Sequence, residues 1–186
     1  MAKIRRSSLK ELVSKNSGYI LLILGIILTF FSISYRTYRS RVLSFKGNIT
    51  ETVIKQYAKP IRIEIPDLKI DLPVEEGGIQ EGIWSVSEKG ATHLNISENP
   101  GGNGNIVIYG HNKNKLLGPI RWIKNETVIK IFSEDGSEYD YKVTERVEVK
   151  PTELSYVLPK NEETLTLYTC TGFADSKRLV VVAKRI

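Results

Sequence analysis

Thr164-Leu165-Thr166-Leu167-Tyr168-Thr169-Cys170 alternates apolar and hydroxyl-bearing residues before it reaches a cysteine. The leucines fall on one face and the threonines on the other, and all are β-favouring types, so the stretch reads as a strand that delivers a thiol at its end. Residues 171–177 have loop character, and a second strand is expected over 178–185, with Leu179-Val180-Val181-Val182-Ala183 in its middle. Paired through that loop, the two strands form a hairpin with Cys170 and Arg178 at the same end. Cys170 is the single cysteine of the chain. A lone thiol there is either a packed, inert side chain or a nucleophile, and the neighbouring guanidinium is a candidate partner for a developing oxyanion.

Upstream, the pattern is one of short strands broken by turn residues. Ile61-Arg62-Ile63-Glu64-Ile65 alternates strictly, Pro66-Asp67 turns, and residues 68–74 supply a second strand before a break at Gly77-Gly78. Residues 84–93 are expected to hold a short helical turn. The glycine-rich loop Asn99-Pro100-Gly101-Gly102-Asn103-Gly104 leads into a strand over 105–109 that ends at Gly110-His111. No Gly-Lys-Ser/Thr closes that loop and no helix follows it, so it is not a phosphate cradle. A helical turn is expected over 116–123, interrupted at Gly118-Pro119. A hairpin is expected from strands over 127–132 and 139–149 joined at Glu134-Asp135-Gly136, and one helical turn over 151–157. About eight strands with short connections and almost no long helix predict an all-β fold, a closed or nearly closed barrel with short helical turns. Residues 60–186 are enough to bury a core without disulfide or metal.

The chain of 186 residues carries 27 Lys+Arg against 21 Asp+Glu, a formal charge of +6. The excess is mild and scattered, with no basic stripe interleaved with aromatics, so nucleic acid is not an expected partner. Residues 1–15 hold five basic residues against Glu11 alone, and Ser8-x-x-Glu11 has the form of a capping box, which predicts a short helix. Gly18 to Tyr35 contains no charge; as a helix it is roughly 27 Å long, near the thickness of a bilayer core. Thr29-Phe30-Phe31-Ser32-Ile33-Ser34-Tyr35 offers no small-x-small cleavage site, so an uncleaved transmembrane signal anchor is expected. Arg36, Arg39, Arg41 and Lys46 compete with the basic residues before the run, and the count slightly favours a cytoplasmic N-terminus. The expected organisation is a cytoplasmic basic segment at 1–17, the anchor at 18–35, a linker at 36–59 with modest helical periodicity over 52–57, and the barrel domain at 60–186. Asn-x-Ser/Thr triplets at Asn48, Asn95 and Asn125 are common by chance and carry no argument.

Leu165-Thr166-Leu167-Tyr168-Thr169-Cys170 followed by Lys177-Arg178-Leu179-Val180-Val181-Val182 resembles the signature of the sortases, membrane-anchored cysteine transpeptidases of bacterial surfaces, whose pattern is Thr-Leu-x-Thr-Cys and then an arginine. Asn103-Gly104-Asn105-Ile106-Val107-Ile108-Tyr109-Gly110-His111 matches the element that carries the family histidine. The resemblance runs from about Ile61 to the C-terminus. It implies a sortase-type eight-stranded barrel in which Cys170 is the nucleophile, His111 the general acid for the departing amine, and Arg178 the donor to the oxyanion or the substrate backbone. A thiol of ordinary pKa is only about 3% ionised at pH 7, so such chemistry needs a nearby cation or works with that minority. Thr169 is expected to line the pocket. His93 resembles a histidine found near the pocket in some sortases and is expected to form a wall or a hydrogen bond.

The implied substrates are exported proteins with C-terminal LPxTG-like sorting signals, cut between Thr and Gly, and the implied acceptor is an amine of a peptidoglycan precursor or a pilin. The implied place is the cell membrane, with the catalytic domain outside. No cofactor is expected. Some sortases bind calcium, but Glu75-Glu76 and Glu134-Asp135 lack metal-ligand spacing and no metal site is assigned. The short crossover over 151–163, the lack of an apolar run after the last strand, and the lack of an obvious aromatic lid motif before Pro60 favour a housekeeping-like or class D-like member. Two other readings stay open: a sortase-like hydrolase or pilin polymerase, and a membrane-tethered barrel that binds peptide with Cys170 buried and inert.

Overall fold

The computed structural model describes residues 17–47 and 56–186. The helix expected over 1–15 lies outside the described residues, as does most of the periodicity expected over 52–57; Gln56 and Tyr57 are not helical. The chain divides into two compact units, Met1–Arg39 and Ser40–Ile186.

The first unit contains most of helix α1, Ser17–Leu43. Its apolar part, Gly18–Tyr35, has a mean hydropathy of 2.1, and none of its residues is buried. By length and composition it is able to cross a membrane. The Thr29 hydroxyl, which a hydrocarbon environment could not satisfy, donates to the Gly25 carbonyl one turn back at 2.8 Å. The helix continues past the apolar run to Leu43, so the first part of the expected linker is helical.

In the second unit, strands β1 (Pro60–Ile65), β2 (Ile70–Gly77), β5 (Ala91–Leu94), β6 (Asn105–Tyr109), β7 (Val128–Ser133), β8 (Glu138–Val149), β9 (Thr164–Thr171) and β10 (Lys177–Arg185) close a barrel. The order around it is β1-β2-β5-β6-β9-β10-β8-β7, and β3 (Ile79–Gln80) and β4 (Ile83–Trp84) form a separate small hairpin. Pairs β2·β5 and β6·β9 are parallel and the others antiparallel. Among the described residues, short 3-10 turns at Pro66–Leu68, Gly118–Trp122, Leu154–Tyr156 and Phe173–Asp175 are the helical pieces of this unit beyond the end of α1.

Alternation sorts the side chains into two apolar layers. Ile63, Ile65, Ile131, Leu165, Leu167, Leu179 and Val181 fill the barrel interior. Their neighbours on the opposite face, Val107, Tyr109, Tyr168, Cys170, Val180 and Val182, pack outside it against Trp84, Leu94 and Val157. Strands β6, β9 and β10 are therefore buried on both faces, which accounts for their nearly continuous β-branched and apolar runs.

Three local expectations are corrected. Residues 84–93 hold no helical turn: β4 and the barrel strand β5 lie there instead, β5 being only four residues long and buried throughout, too short and too uniformly covered to show a period. Gly77 is no break either. It ends β2 alongside β5, where a Cβ would stand 2.3 Å from Thr92 Cγ2, so close strand contact, not a turn, calls for glycine. Finally, Ile61 does not share the inward face of Ile63 and Ile65; the β1·β7 register shifts between Pro60 and Arg62, and Ile61 is exposed.

Candidate active site

The end of β9 and the start of β10 carry the predicted pair. Arg178 is the direct cross-strand partner of Cys170, so the two side chains share one face of the sheet. Strand β6 lies parallel to β9 on the other side, with Tyr109 opposite Tyr168. Two residues on along each chain, at the same side-chain phase, come His111 and Cys170. The fold thus brings Cys170, Arg178 and His111, separated in sequence, to one end of three adjacent strands.

All three are almost wholly buried, at 4%, 2% and 3% exposure. Arg178 meets backbone carbonyls: Nη1 donates to Asp175 O at 3.1 Å and Lys177 O at 3.0 Å, and Nη2 donates to Ser44 O at 2.8 Å. Charge-assisted bonds of this kind are what makes a buried guanidinium tolerable. The Arg178–Ser44 contact reaches across from residues 44–47, which follow directly on the end of α1. Ser44 Oγ also accepts from Trp84 N at 2.9 Å, and Lys46 N donates to Pro151 O at 2.8 Å. Between those ties Phe45 packs edge-on against Tyr168, with centroids 5.0 Å apart, and tilted against Trp84 at 5.8 Å. Leu43 and Phe45 thereby join the apolar cluster that contains Cys170.

Below this layer Tyr109 and Tyr168 stack at 5.1 Å, and burial pushes both phenols above their ordinary range. The Tyr109 hydroxyl donates to Ser85 O at 2.6 Å. A cleft bordered by Leu94, Ile96, Asn105, Val157 and Lys160 shares Leu94 and Val157 with the cluster around Cys170.

Thr169 lies one residue before Cys170, in the opposite side-chain phase. Its hydroxyl donates to Gly110 O at 2.8 Å, tying β9 to the segment that ends in His111. His93 is brought to a different place. It sits in β5, fully buried, with Nδ1 2.6 Å from Glu76 Oε1 and Nε2 2.9 Å from the Glu98 carbonyl and 3.2 Å from Ser97 Oγ. Both ring nitrogens are occupied inside the protein, which makes this histidine a tie between β2, β5 and the loop that follows.

Sequence reading did not find Glu88, whose Oε1 lies 3.2 Å from His111 Nε2 and whose Oε2 accepts from Lys113 Nζ at 2.8 Å. The Lys113 hydrogen bond first, and then the charge of His111, hold this carboxyl below the usual carboxylate range. No spacing rule links an acid to a histidine 23 positions later. Phe45 was also missed: the signal available was the short apolar cluster Val42-Leu43-x-Phe45 within the connector.

A family model described as "Sortase domain" matches residues 63–186. Among curated proteins, the chain is 32% identical over 126 residues to "Sortase A" of Bacillus anthracis, a match covering 66% of this chain and 57% of that protein. It is 28% identical over 128 residues to "Sortase D" of Bacillus subtilis (strain 168), covering 67% and 62%. The chain thus spans less than two thirds of the length of these curated relatives. Among solved structures, "Sortase A from Corynebacterium diphtheriae" superimposes with a TM-score of 0.59 at 31% identity, covering 70% of this chain and 62% of that one.

Proposed function

Since the chain belongs to the sortase family, we propose that it is a membrane-anchored cysteine transpeptidase, with Cys170 as nucleophile, His111 as general acid and base, and Arg178 as oxyanion or backbone donor. The observation that carries this reading is the convergence on one barrel end of a thiol, a cross-strand guanidinium and an imidazole from the adjacent strand. Cys170 Sγ attacks the threonine carbonyl of an LPxTG-like sorting signal. The guanidinium of Arg178, in place of its present bond to Ser44 O, donates to the carbonyl oxygen as charge develops there. The Thr–Gly C–N bond breaks, His111 gives its proton to the departing glycine amine, and a thioester remains on Cys170. An incoming amine then attacks the thioester, gives a proton back to His111, and releases the thiolate. The energy of the cleaved bond is carried in the thioester, so no nucleotide is needed.

In this reading α1 is the anchor, with the N-terminus in the cytoplasm and the barrel outside. Holding enzyme, substrate and a lipid-linked acceptor on one surface raises their effective concentration. The acceptor is an amine of a cell-wall precursor, and the member is housekeeping-like or class D-like.

Intact-mass spectrometry of the full chain with an LPxTG peptide tests this. Expected is an acyl adduct on Cys170, converted to amine-linked product when an amine is added and lost in Cys170→Ala. Release of hydrolysed peptide alone, whatever amine is supplied, would point to a hydrolase. No adduct with any of several peptide variants, the thiol being reduced, would leave a peptide-binding barrel.

A further inference from the structure

We infer that Tyr168 is a substrate-binding residue: with the Phe45 ring withdrawn, its hydroxyl donates to a backbone carbonyl of the peptide on the acyl side of the cleaved bond. The inference rests on the reading of Cys170 as the nucleophile and of an LPxTG-like peptide as its substrate. Tyr168 is wholly buried against Phe45 and Trp84, and among the described residues no group donates to its hydroxyl or accepts from it. Its stacked neighbour differs in this respect, since the Tyr109 hydroxyl donates to Ser85 O at 2.6 Å. A buried hydroxyl without a partner costs stability, whereas a phenylalanine would fill nearly the same space at no such cost. The oxygen therefore calls for a partner that the free barrel does not supply. Burial, and after it the neighbouring Tyr109, push the phenol well above its ordinary range, so at neutral pH the group keeps its proton and is a donor.

Its position fits a peptide. Tyr168 stands two residues before Cys170 on β9, at the same side-chain phase and in the same apolar cluster. Residues two apart on a strand are about 7 Å apart, which is also the spacing of alternate carbonyls along one side of an extended peptide. With its threonine carbonyl at Cys170 and Arg178, a sorting signal laid along β9 brings the proline carbonyl, two residues earlier, to Tyr168. Further along β9 in the same direction lies the cleft bordered by Leu94, Asn105 and Val157, a place for the residues before the proline.

The segment after α1 is a stand-in for such a chain. Ser44 O accepts from Arg178 Nη2 at 2.8 Å, and the next residue, Phe45, lies edge-on to Tyr168 with ring centroids 5.0 Å apart. One short stretch of peptide thus reaches the guanidinium and the tyrosine together, and the Phe45 ring fills the space that the substrate enters.

Kinetics of the full chain in detergent micelles, with an LPxTG peptide and an amine, test the inference. A hydrogen bond away from the reacting carbonyl is made equally in the ground and transition states, so its loss shows in KM and not in kcat. In Tyr168→Phe, KM is expected to rise about tenfold with kcat nearly unchanged, while Tm stays the same or rises because the unpartnered hydroxyl is gone. A peptide whose proline carbonyl is a thiocarbonyl, a weaker acceptor, raises KM by a similar factor in the wild type and adds nothing in Tyr168→Phe. In Phe45→Ala, KM falls, and Tyr168→Phe keeps its full effect in that background. An unchanged KM in Tyr168→Phe overturns the inference, and so does a lowered Tm, because the hydroxyl then has a partner in the free protein. A thiocarbonyl effect of equal size in both proteins also overturns it, since Tyr168 is then not the donor to that carbonyl. A wild type that turns over no peptide removes the transpeptidase reading and this inference together, whereas normal turnover with KM unchanged in Tyr168→Phe removes this inference alone.

Discussion

The two histidines of the chain stand in different surroundings, and those of His93 are fully described. His93 has both nitrogens committed, to Glu76 on one side and to the Glu98 carbonyl and Ser97 hydroxyl on the other. Nothing is left for a reacting group, and the sequence motif alone did not tell this: Ala91-Thr92-His93-Leu94 gives no hint that an acid 17 residues earlier lies beside it. His93→Ala should cost stability, on the order of 2–4 kcal/mol, because it strands buried polar partners that the ring satisfied. Chemical denaturation with the transition midpoint as readout checks this. An unchanged midpoint would mean that water replaces the ring at no cost. His111 was a candidate site residue from its place after a strand and a glycine, while the carboxylate that stands beside it, Glu88, was not found, since packing and not spacing brings the two together.

At the scale of elements, the segment after α1 behaves as a strap over the cluster that holds Cys170. Among its ties, the bonds of Ser44 Oγ to Trp84 N and of Lys46 N to Pro151 O each contribute about 1 kcal/mol net, and the charge-assisted bond from Arg178 to Ser44 O about 1.5–3 kcal/mol. Removing the buried Phe45 ring costs more, about 3–5 kcal/mol, so the aromatic side chain dominates the docking. In Phe45→Ala the strap should loosen, and labelling of Cys170 by a small thiol reagent under native conditions should rise at least about tenfold. Identical labelling rates in the two proteins would show that something other than the strap shields the thiol. The β9–β10 hairpin was readable in advance, with Arg178 opposite Cys170 as expected. Strand β5 was not: a four-residue strand buried on both faces has neither alternation nor flanking glycine pairs to announce it.

Among the described residues, four carboxyls are held below their ordinary range by hydrogen-bond partners: Asp71 by Arg62, Glu88 by Lys113, Asp135 by the Ser137 N–H, and Glu162 by Lys184. A carboxyl depressed in the folded state contributes stability that is present above its unfolded pKa and is lost as pH falls through the folded value. These groups lie at the surface, where solvent screens each pair and makes its share small. Tm is therefore expected to stay nearly flat from neutral pH to about pH 5 and to fall below about pH 4. Thermal scans across that range check the sign, and a Tm that rises on acidification would contradict it.

The sequence by itself determined the class of fold, the hairpin that pairs Cys170 with Arg178, and the apolar run able to cross a membrane. These follow from short-range periodicity, which survives in any chain that must bury one face of a strand or a whole helix surface. Family membership was legible from three spaced motifs, and the comparisons bear it out. The tertiary structure alone decided that β2 and β5 run parallel with His93 locked between them, that Phe45 packs into the cluster of Cys170 while Ser44 occupies Arg178, and that Glu88 meets His111. Each of these is a contact between segments distant in sequence, made by packing geometry, and no local pattern of residue types encodes it.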